Sequence, residues 1–270
     1  VTSLPLDDLL AAGGVEVTWT GPEQAPVVTV TLNRPATRNA QTPATWRALA
    51  AVGANLPTGT RVVVLKGAGP VFSSGIDLRT FTPEGIDGER VFSDIGAASD
   101  AEASDLIAVF QSAFSWWHSQ DVITIAAVQG AAIGAGFQLA LGCDFRVCSS
   151  DARFAMRETS LGLVPDLTGT HPLVRAVGYS RALEICLTGR WVSADEAAQL
   201  GLATVVVPQS ELDAAVADLV AAILGAPAES VAATKNVLRA ALDQEPERQY
   251  LTERTTQIGL IRGLIARLGQ

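Results

Sequence analysis

Apolar and polar residues alternate over Val15–Thr20 and again over Val27–Leu32, the period of strands with one face buried, and Gly21-Pro22 predicts the turn that pairs them. Thr42-Pro43 opens a helix that runs to about residue 54, with proline in the first turn where its missing N–H breaks no helical bond. Residues 61–66 and 122–128 are short apolar runs that read as further strands. Strands separated by helices predict an α/β core with parallel pairing, although periodicity alone leaves the strand order open. Residues 80–104, rich in Gly, Ser, Asp and Glu, carry the weakest pattern and read as a loop beside a site or as a plain solvated connection. Trp116-Trp117 closes the next helix; adjacent positions point to different sides, so both are expected to pack. From residue 211 the pattern is helical over 211–224, 229–242 and 248–268, punctuated by Pro227 and Pro246. This divides the chain into an N-terminal extension (1–14), an α/β core (15–208) and a C-terminal helical region (209–270).

Composition narrows the classes. With 270 residues, 48% hydrophobic and 17% charged, the chain can bury a sizeable core. Its mean hydropathy of +0.28 is high, yet no apolar run reaches the length of a membrane span. The first 14 residues carry Asp7 and Asp8 and no basic segment, so they do not read as a signal peptide, and a cytoplasmic location is expected. Cys143, Cys148 and Cys186 match neither zinc nor redox spacing and read as buried thiols. His118 and His171 leave little material for a metal site, and His171 beside Pro172 reads as packing or capping. A net charge of -9 argues against a nucleic-acid partner.

The chemistry concentrates in two glycine segments. Phe72-Ser73-Ser74-Gly75-Ile76-Asp77-Leu78 and Gly130-Ala131-Ala132-Ile133-Gly134-Ala135-Gly136-Phe137-Gln138 each place glycine where a strand turns into a helix, which leaves backbone N–H groups without partners. Two such groups aimed at one point would hold a thioester carbonyl as it becomes an enolate. The second segment does not fit a dinucleotide fingerprint, and Gly67-Ala68-Gly69 lacks the remaining glycine and lysine of a phosphate loop.

Further motifs stand in order around these segments: Leu32-Asn33-Arg34-Pro35, Arg38-Asn39-Ala40, the run 62–67, Asp144-Phe145-Arg146-Val147, Glu158, Leu161-Gly162, Val164-Pro165, Gly169-Thr170 and Leu187-Thr188-Gly189. Over about residues 15 to 210 the chain resembles the crotonase (enoyl-CoA hydratase/isomerase) superfamily. The resemblance implies an α/β spiral of repeated ββα units with a C-terminal helical trimerisation region, in a homotrimer or a dimer of trimers. It implies an acyl-CoA thioester substrate, with coenzyme A as part of that substrate and no separate cofactor. By the same resemblance Ile76 and Ala135 donate the oxyanion N–H groups, with Gly134 allowing close approach. Glu158 matches one of the two glutamates that hydratases of the family use, while Gln138 occupies the place of the other. A glutamine orients water or substrate by hydrogen bonds but does not exchange a proton at neutral pH.

Asp166 stands eight residues beyond Glu158, a separation that resembles the dienoyl-CoA isomerases of the family. Asp166 also reads as a cap on the helix that begins near Gly169. Arg38, Lys66 and Lys235 are candidates for the coenzyme A phosphates, and Ser74 and Asp77 for shaping the loop at the adenine edge. The tail from Arg262 to Gln270 lacks the phenylalanine and basic pair that touch coenzyme A across a subunit boundary in relatives. The expected activity is enoyl-CoA or dienoyl-CoA isomerisation. The alternatives are hydration by Glu158 alone and a non-catalytic acyl-CoA binder.

Overall fold

The computed structural model describes residues 5–20, 26–119 and 121–268. The Gly21-Pro22 turn and the last two residues of the tail lie outside the described residues. Helix α1 (Leu6–Gly13) leads into β1 (Val15–Thr20) and β2 (Val27–Leu32), followed by α2 (Pro43–Ala54) and β3 (Val62–Gly67). Helices α3 (Val91–Ala97) and α4 (Asp100–Ser119) precede β4 (Ile123–Val128), β5 (Ala131–Ile133) and α5 (Ala135–Gly142). Next come β6 (Phe145–Ser149), β7 (Arg153–Ala155), α6 (Thr170–Val177), α7 (Tyr179–Thr188), β8 (Val192–Ser193), α8 (Ala194–Gln199) and β9 (Val205–Val207). Helices α9 (Leu212–Gly225), α10 (Ala228–Ala240) and α11 (Pro246–Leu268) close the chain.

Local chemistry explains the boundaries. Gly14 ends α1 in the left-handed conformation, and Thr42 caps α2 by accepting from the Thr45 N–H while the Thr45 hydroxyl accepts from the Thr42 N–H. Every residue of β4 is buried, as a central parallel strand requires. In β3 the alternation divides two cores. Val63 and Leu65 pack with Trp46 and Leu49, whereas Val62 and Val64 pack with Val147, Leu212 and Val216 beneath α9.

The large sheet has the order β1-β2-β3-β4-β6-β9, with only the β1–β2 pair antiparallel. A small sheet, β5-β7-β8, stands beside it. Successive turns of chain place one strand in the large sheet and the next in the small one: β4 then β5, β6 then β7. The earlier turn does the same, because β3 is followed by Ser73, which bridges to Ala132. Repeated ββα turns and a C-terminal helical region therefore match the expected fold.

Two sequence expectations are corrected. Residues 80–104 hold α3 and the start of α4 rather than a loop; α3 spans only seven residues, none fully buried, too short to impose a helical period. The Trp116 and Trp117 rings do not diverge but stack, with centroids 3.9 Å apart. Both are buried, and Gly53 of α2 makes room for Trp116, since a Cβ there would stand 2.5 Å from the indole. Within the first 14 residues α1 packs against the body, where the Thr45 hydroxyl donates to the Gly13 carbonyl at 2.8 Å. Among the described residues no single helix is long and apolar enough to cross a membrane.

Candidate active site

Register in the small sheet assembles the site. Ser73 pairs with Ala132, and Ala132 with Phe154, so three neighbouring turns of chain lie in step. The Ser73 N–H donates to Ala131 O at 3.0 Å, Ile133 N–H to Ser73 O at 3.0 Å, and Gly134 N–H to Ala155 O at 2.8 Å. A few residues beyond each paired position stand Ile76, Ala135 and Glu158, which therefore arrive side by side.

Where the two glycine segments meet, the N–H groups of Ile76 and Ala135 stand outside the strand and helix ladders. Gln41 bridges to Ile76 by donating to Gly75 O at 2.7 Å and accepting from Asp77 N–H at 2.8 Å. That parallel pattern turns the Ile76 N–H away from Gln41, toward the next segment. Ala135 is the first residue of α5, so its N–H has no intrahelical acceptor. Glycine is needed at the contact: Gly75 has φ 88°, and a Cβ there would lie 2.6 Å from Ile133 O and 3.6 Å from Ala135 N. Gly134 has φ 49°, and its Cβ would stand 3.2 Å from Glu158 Oε1.

These groups face a cavity of about 420 Å³. Its far wall is apolar and aromatic, with Trp46 of α2, Phe81, Phe92 of α3 and Phe110 of α4. Phe81 and Phe92 stack at 4.1 Å, and Trp46 meets Phe110 at 4.9 Å. The sequence reading missed this wall because its members come from four separate elements, none with a shared motif.

Glu158 opens a short 3-10 turn, Glu158–Leu161. Its Oε1 accepts from Gln138 Nε2 at 2.6 Å, while Oε2 is buried with no hydrogen-bond partner. Burial pushes the Glu158 carboxyl above the usual glutamate range; its own backbone N–H, the Gln138 hydrogen bond and the Arg157 N–H partly offset this, and the nearby Asp166 charge adds to it. Gln138 is 1% exposed, and its carboxamide oxygen accepts from Leu167 N–H at 2.9 Å and Gly169 N–H at 3.2 Å. Both ends of the carboxamide are thus engaged with protein.

Asp166 lines the same cavity, and burial raises its carboxyl as well. It is not the cap of α6: that helix starts from Gly169 with no side-chain cap, and Gln111 of α4 holds the Asp166 carbonyl at 2.6 Å. His171, in the first turn of α6, accepts from Arg175 Nε at 2.9 Å and stays exposed.

Ser74 lines the cavity and donates its N–H to Arg38 O at 2.9 Å, which brings the exposed Arg38 beside it. Asp77 accepts from Arg79 N–H and pairs with the guanidinium groups of Arg79 at 2.6 Å and Arg34 at 3.6 Å. The Arg79 hydrogen bond holds its carboxyl below the usual aspartate range. Arg34 and Arg79 were not anticipated as its partners.

The two lysines are not brought to the cavity. Lys66 shares the parity of Val62 and Val64, so it faces the other side of the large sheet, in a separate polar concavity with Glu16 and Thr18. Lys235 is buried and donates to Asp144 Oδ2 and Val122 O, each at 2.7 Å, so its charge is spent inside the fold. Cys143 and Cys148 are buried, and burial raises both thiols to about 12. Among the described residues no group of three or more His, Cys, Asp or Glu is placed to hold a metal ion.

The family profile for enoyl-CoA hydratase/isomerase matches residues 22–261. A candidate enoyl-CoA hydratase from Thermobifida fusca YX, solved in complex with CoA, is 47% identical, with a TM-score of 0.90 over 97% of this chain and 98% of that one. Its complex with acetoacetyl-CoA gives a TM-score of 0.89 at 47% identity, over 95% and 98%. Carnitinyl-CoA dehydratase of Salmonella enteritidis is 34% identical over 70% of this chain and 67% of its own. The peroxisomal Delta(3,5)-Delta(2,4)-dienoyl-CoA isomerase of Arabidopsis thaliana is 37% identical over 66% of this chain and 63% of its own. The matched region spans 58% to 67% of the length of such curated relatives.

Proposed function

The chain belongs to the enoyl-CoA hydratase/isomerase family, and from that premise we propose that it is an enoyl-CoA or dienoyl-CoA isomerase. The observation that carries this reading is Glu158, a carboxyl raised by burial that lines the cavity beside the N–H groups of Ile76 and Ala135. The thioester carbonyl of an unsaturated acyl-CoA sits between Ile76 N–H and Ala135 N–H. Glu158 takes a proton from the carbon α or γ to the carbonyl, and the electron pair moves through the conjugated system onto the thioester oxygen. The two N–H groups stabilise that enolate, a contribution of about 3 to 4 kcal/mol for one comparable donor. The proton returns to a different carbon, from Glu158 or from Asp166, and the double bond has moved with no net change in atoms. Positioned proton transfer supplies roughly a hundred- to ten-thousandfold in rate.

Hydration in the family employs two glutamates, and here the second place holds Gln138, bonded to Glu158, Leu167 and Gly169 and unable to exchange a proton, which favours isomerisation. The aromatic wall favours an apolar acyl group and keeps the enolate dry. The CoA complex of the Thermobifida relative supports a CoA thioester as the substrate. Arg38, exposed beside Ser74, suits a phosphate of coenzyme A, and Ser74 and Asp77 shape the adenine side. Coenzyme A belongs to the substrate, and no further cofactor enters the mechanism. Exposed apolar residues recur at Leu251, Ile258 and Ile265 of α11, a seven-residue spacing that suits assembly into a trimer or dimer of trimers in the cytoplasm.

Incubation with 2-enoyl-, 3-enoyl- and 3,5-dienoyl-CoA, read by mass and ultraviolet absorbance, tests the reading. Isomerisation changes absorbance at constant mass. Addition of water would instead establish a hydratase, and unchanged substrates would leave a binder.

A further inference from the structure

We propose that Gln138 is a positioning residue that clamps the Glu158 carboxylate to the Leu167–Gly169 loop and so fixes where that carboxylate stands against the acyl site. The proposal rests on Glu158 being the proton-transfer group.

The orientation of the carboxamide is forced. Leu167 N–H and Gly169 N–H can only donate, so the atom they meet at 2.9 and 3.2 Å is the oxygen, and the nitrogen must face Glu158 Oε1 at 2.6 Å. The two loop N–H groups flank Thr168, which has φ 65°. A β-branched residue is unfavourable in that region, and two N–H groups closing on one acceptor form a nest that holds it there. The loop is also packed on the side chain, since a Cβ at Gly169 would lie 2.5 Å from Gln138 Cγ. Asp166 begins this loop, so one glutamine sets the placement of both acids.

The clamp and the carbonyl donor share one rigid element. Ala135 and Gln138 stand three residues apart in α5, on the same face of its first turn. The distance between the thioester oxygen and the acid is thereby keyed to helix geometry rather than to loop motion. The titratable group that acts on Glu158 is Asp166, whose charge opposes its ionisation, while its own backbone N–H, the Gln138 N–H and the Arg157 N–H favour it; Glu158 in turn helps to raise the thiol of Cys186.

The full chain is assayed with 3-hexenoyl-CoA in deuterated buffer across a pH series, following isomerisation and α-deuterium incorporation. Four forms are compared: wild type, Gln138→Met, Gln138→Glu and Glu158→Gln. Gln138→Met is expected to lower kcat about ten- to a hundredfold, with KM within about threefold, because ground-state binding is untouched. It also moves the acid limb of the kcat profile to higher pH. Gln138→Glu keeps an acceptor for the loop N–H groups but adds a buried carboxylate, so it melts lower than the wild type at neutral pH and closer to it in acid, and it moves the acid limb in the same direction because two carboxylates then share one dry site.

An unmoved limb in both variants overturns the positioning role, as does a loss seen only in KM or in melting temperature. If Glu158→Gln still incorporates deuterium at the wild-type rate, the underlying assignment of Glu158 fails instead, and the two failures are told apart.

Discussion

One wall of the cavity, formed by residues 73–76 and 131–135, is backbone held by sheet register, whereas the facing wall, Glu158 with Gln138 and Asp166, is side chains held by one another. The first wall offers N–H groups whose positions follow from strand pairing and from two glycines in left-handed conformations. The second offers acids whose ionisation depends first on burial and then on the hydrogen bonds and charges around them. A backbone wall tolerates many side chains but few changes of conformation. A side-chain wall keeps its shape through many changes and loses its chemistry through one.

The largest expected effect lies in the side-chain wall. Glu158→Gln should lower turnover by about a hundred- to ten-thousandfold while acyl-CoA binding, measured by calorimetry, stays nearly intact. Its stability should move the other way. Burial raises the folded-state pKa of Glu158 above its unfolded value, so the folded form holds the proton more tightly. The native state is then favoured in acid, and that advantage is lost as pH rises from the ordinary glutamate range through the raised folded value. Glutamine removes the cost of burying the charge. Above that window the variant should melt higher than the wild type, and below it the difference should close; a variant that melts lower at neutral pH would contradict the burial argument.

A comparable loss should follow from bending the backbone wall. Gly75→Val places a branched side chain at φ 88°, with its Cβ pressed against Ile133 O. The segment must shift, and Ile76 N–H leaves its place. Turnover should fall by about a hundred- to a thousandfold, and the acid limb of the pH profile should stay where it was, because Glu158 keeps its surroundings. A moved limb would mean that the two walls are coupled.

Asp166→Asn is expected to cost less, about tenfold in the isomerisation of a 3,5-dienoyl-CoA. Proton return can still run through Glu158, and the loop remains held by Gln111 and Gln138 through its backbone. Hydration by Glu158 alone would show almost no dependence on this residue, so the size of the loss separates the two reactions.

The difference between the walls also explains what the sequence disclosed. Alternation and proline positions placed β1, β2 and α2 to within a residue, because each has one face against a continuous core. Gly75 and Gly134 were legible as turn-makers, and the family resemblance then singled out Ile76 and Ala135 beside them. The parity of Lys66 on β3 was available in the residues but was not used, and it sends that lysine to the opposite face of the sheet. Lys235 could not be read at all: its partners Asp144 and Val122 lie 91 and 113 residues away in sequence. The engagement of Gln138 was equally hidden, since it depends on three contacts to residues 20 to 31 positions further on. Helix α3 escaped because seven residues, none fully buried, are too few to carry a periodic signature.

The smallest effect sharpens the comparison most. Ile76→Ala deletes most of a side chain that lines the cavity but leaves its N–H, its bridge to Gln41 and Gly75 unchanged. If this wall acts through backbone alone, kcat should stay within about threefold, and the shortfall should appear as a higher KM, from lost apolar contact that the ground state and transition state share. Ala135 already makes the same case in the native chain, since a methyl group suffices at the first residue of α5. A large fall in kcat for Ile76→Ala, with melting temperature unchanged, would place the chemistry of this wall in its side chains. The proposed division between a wall of register and a wall of acids would then be wrong.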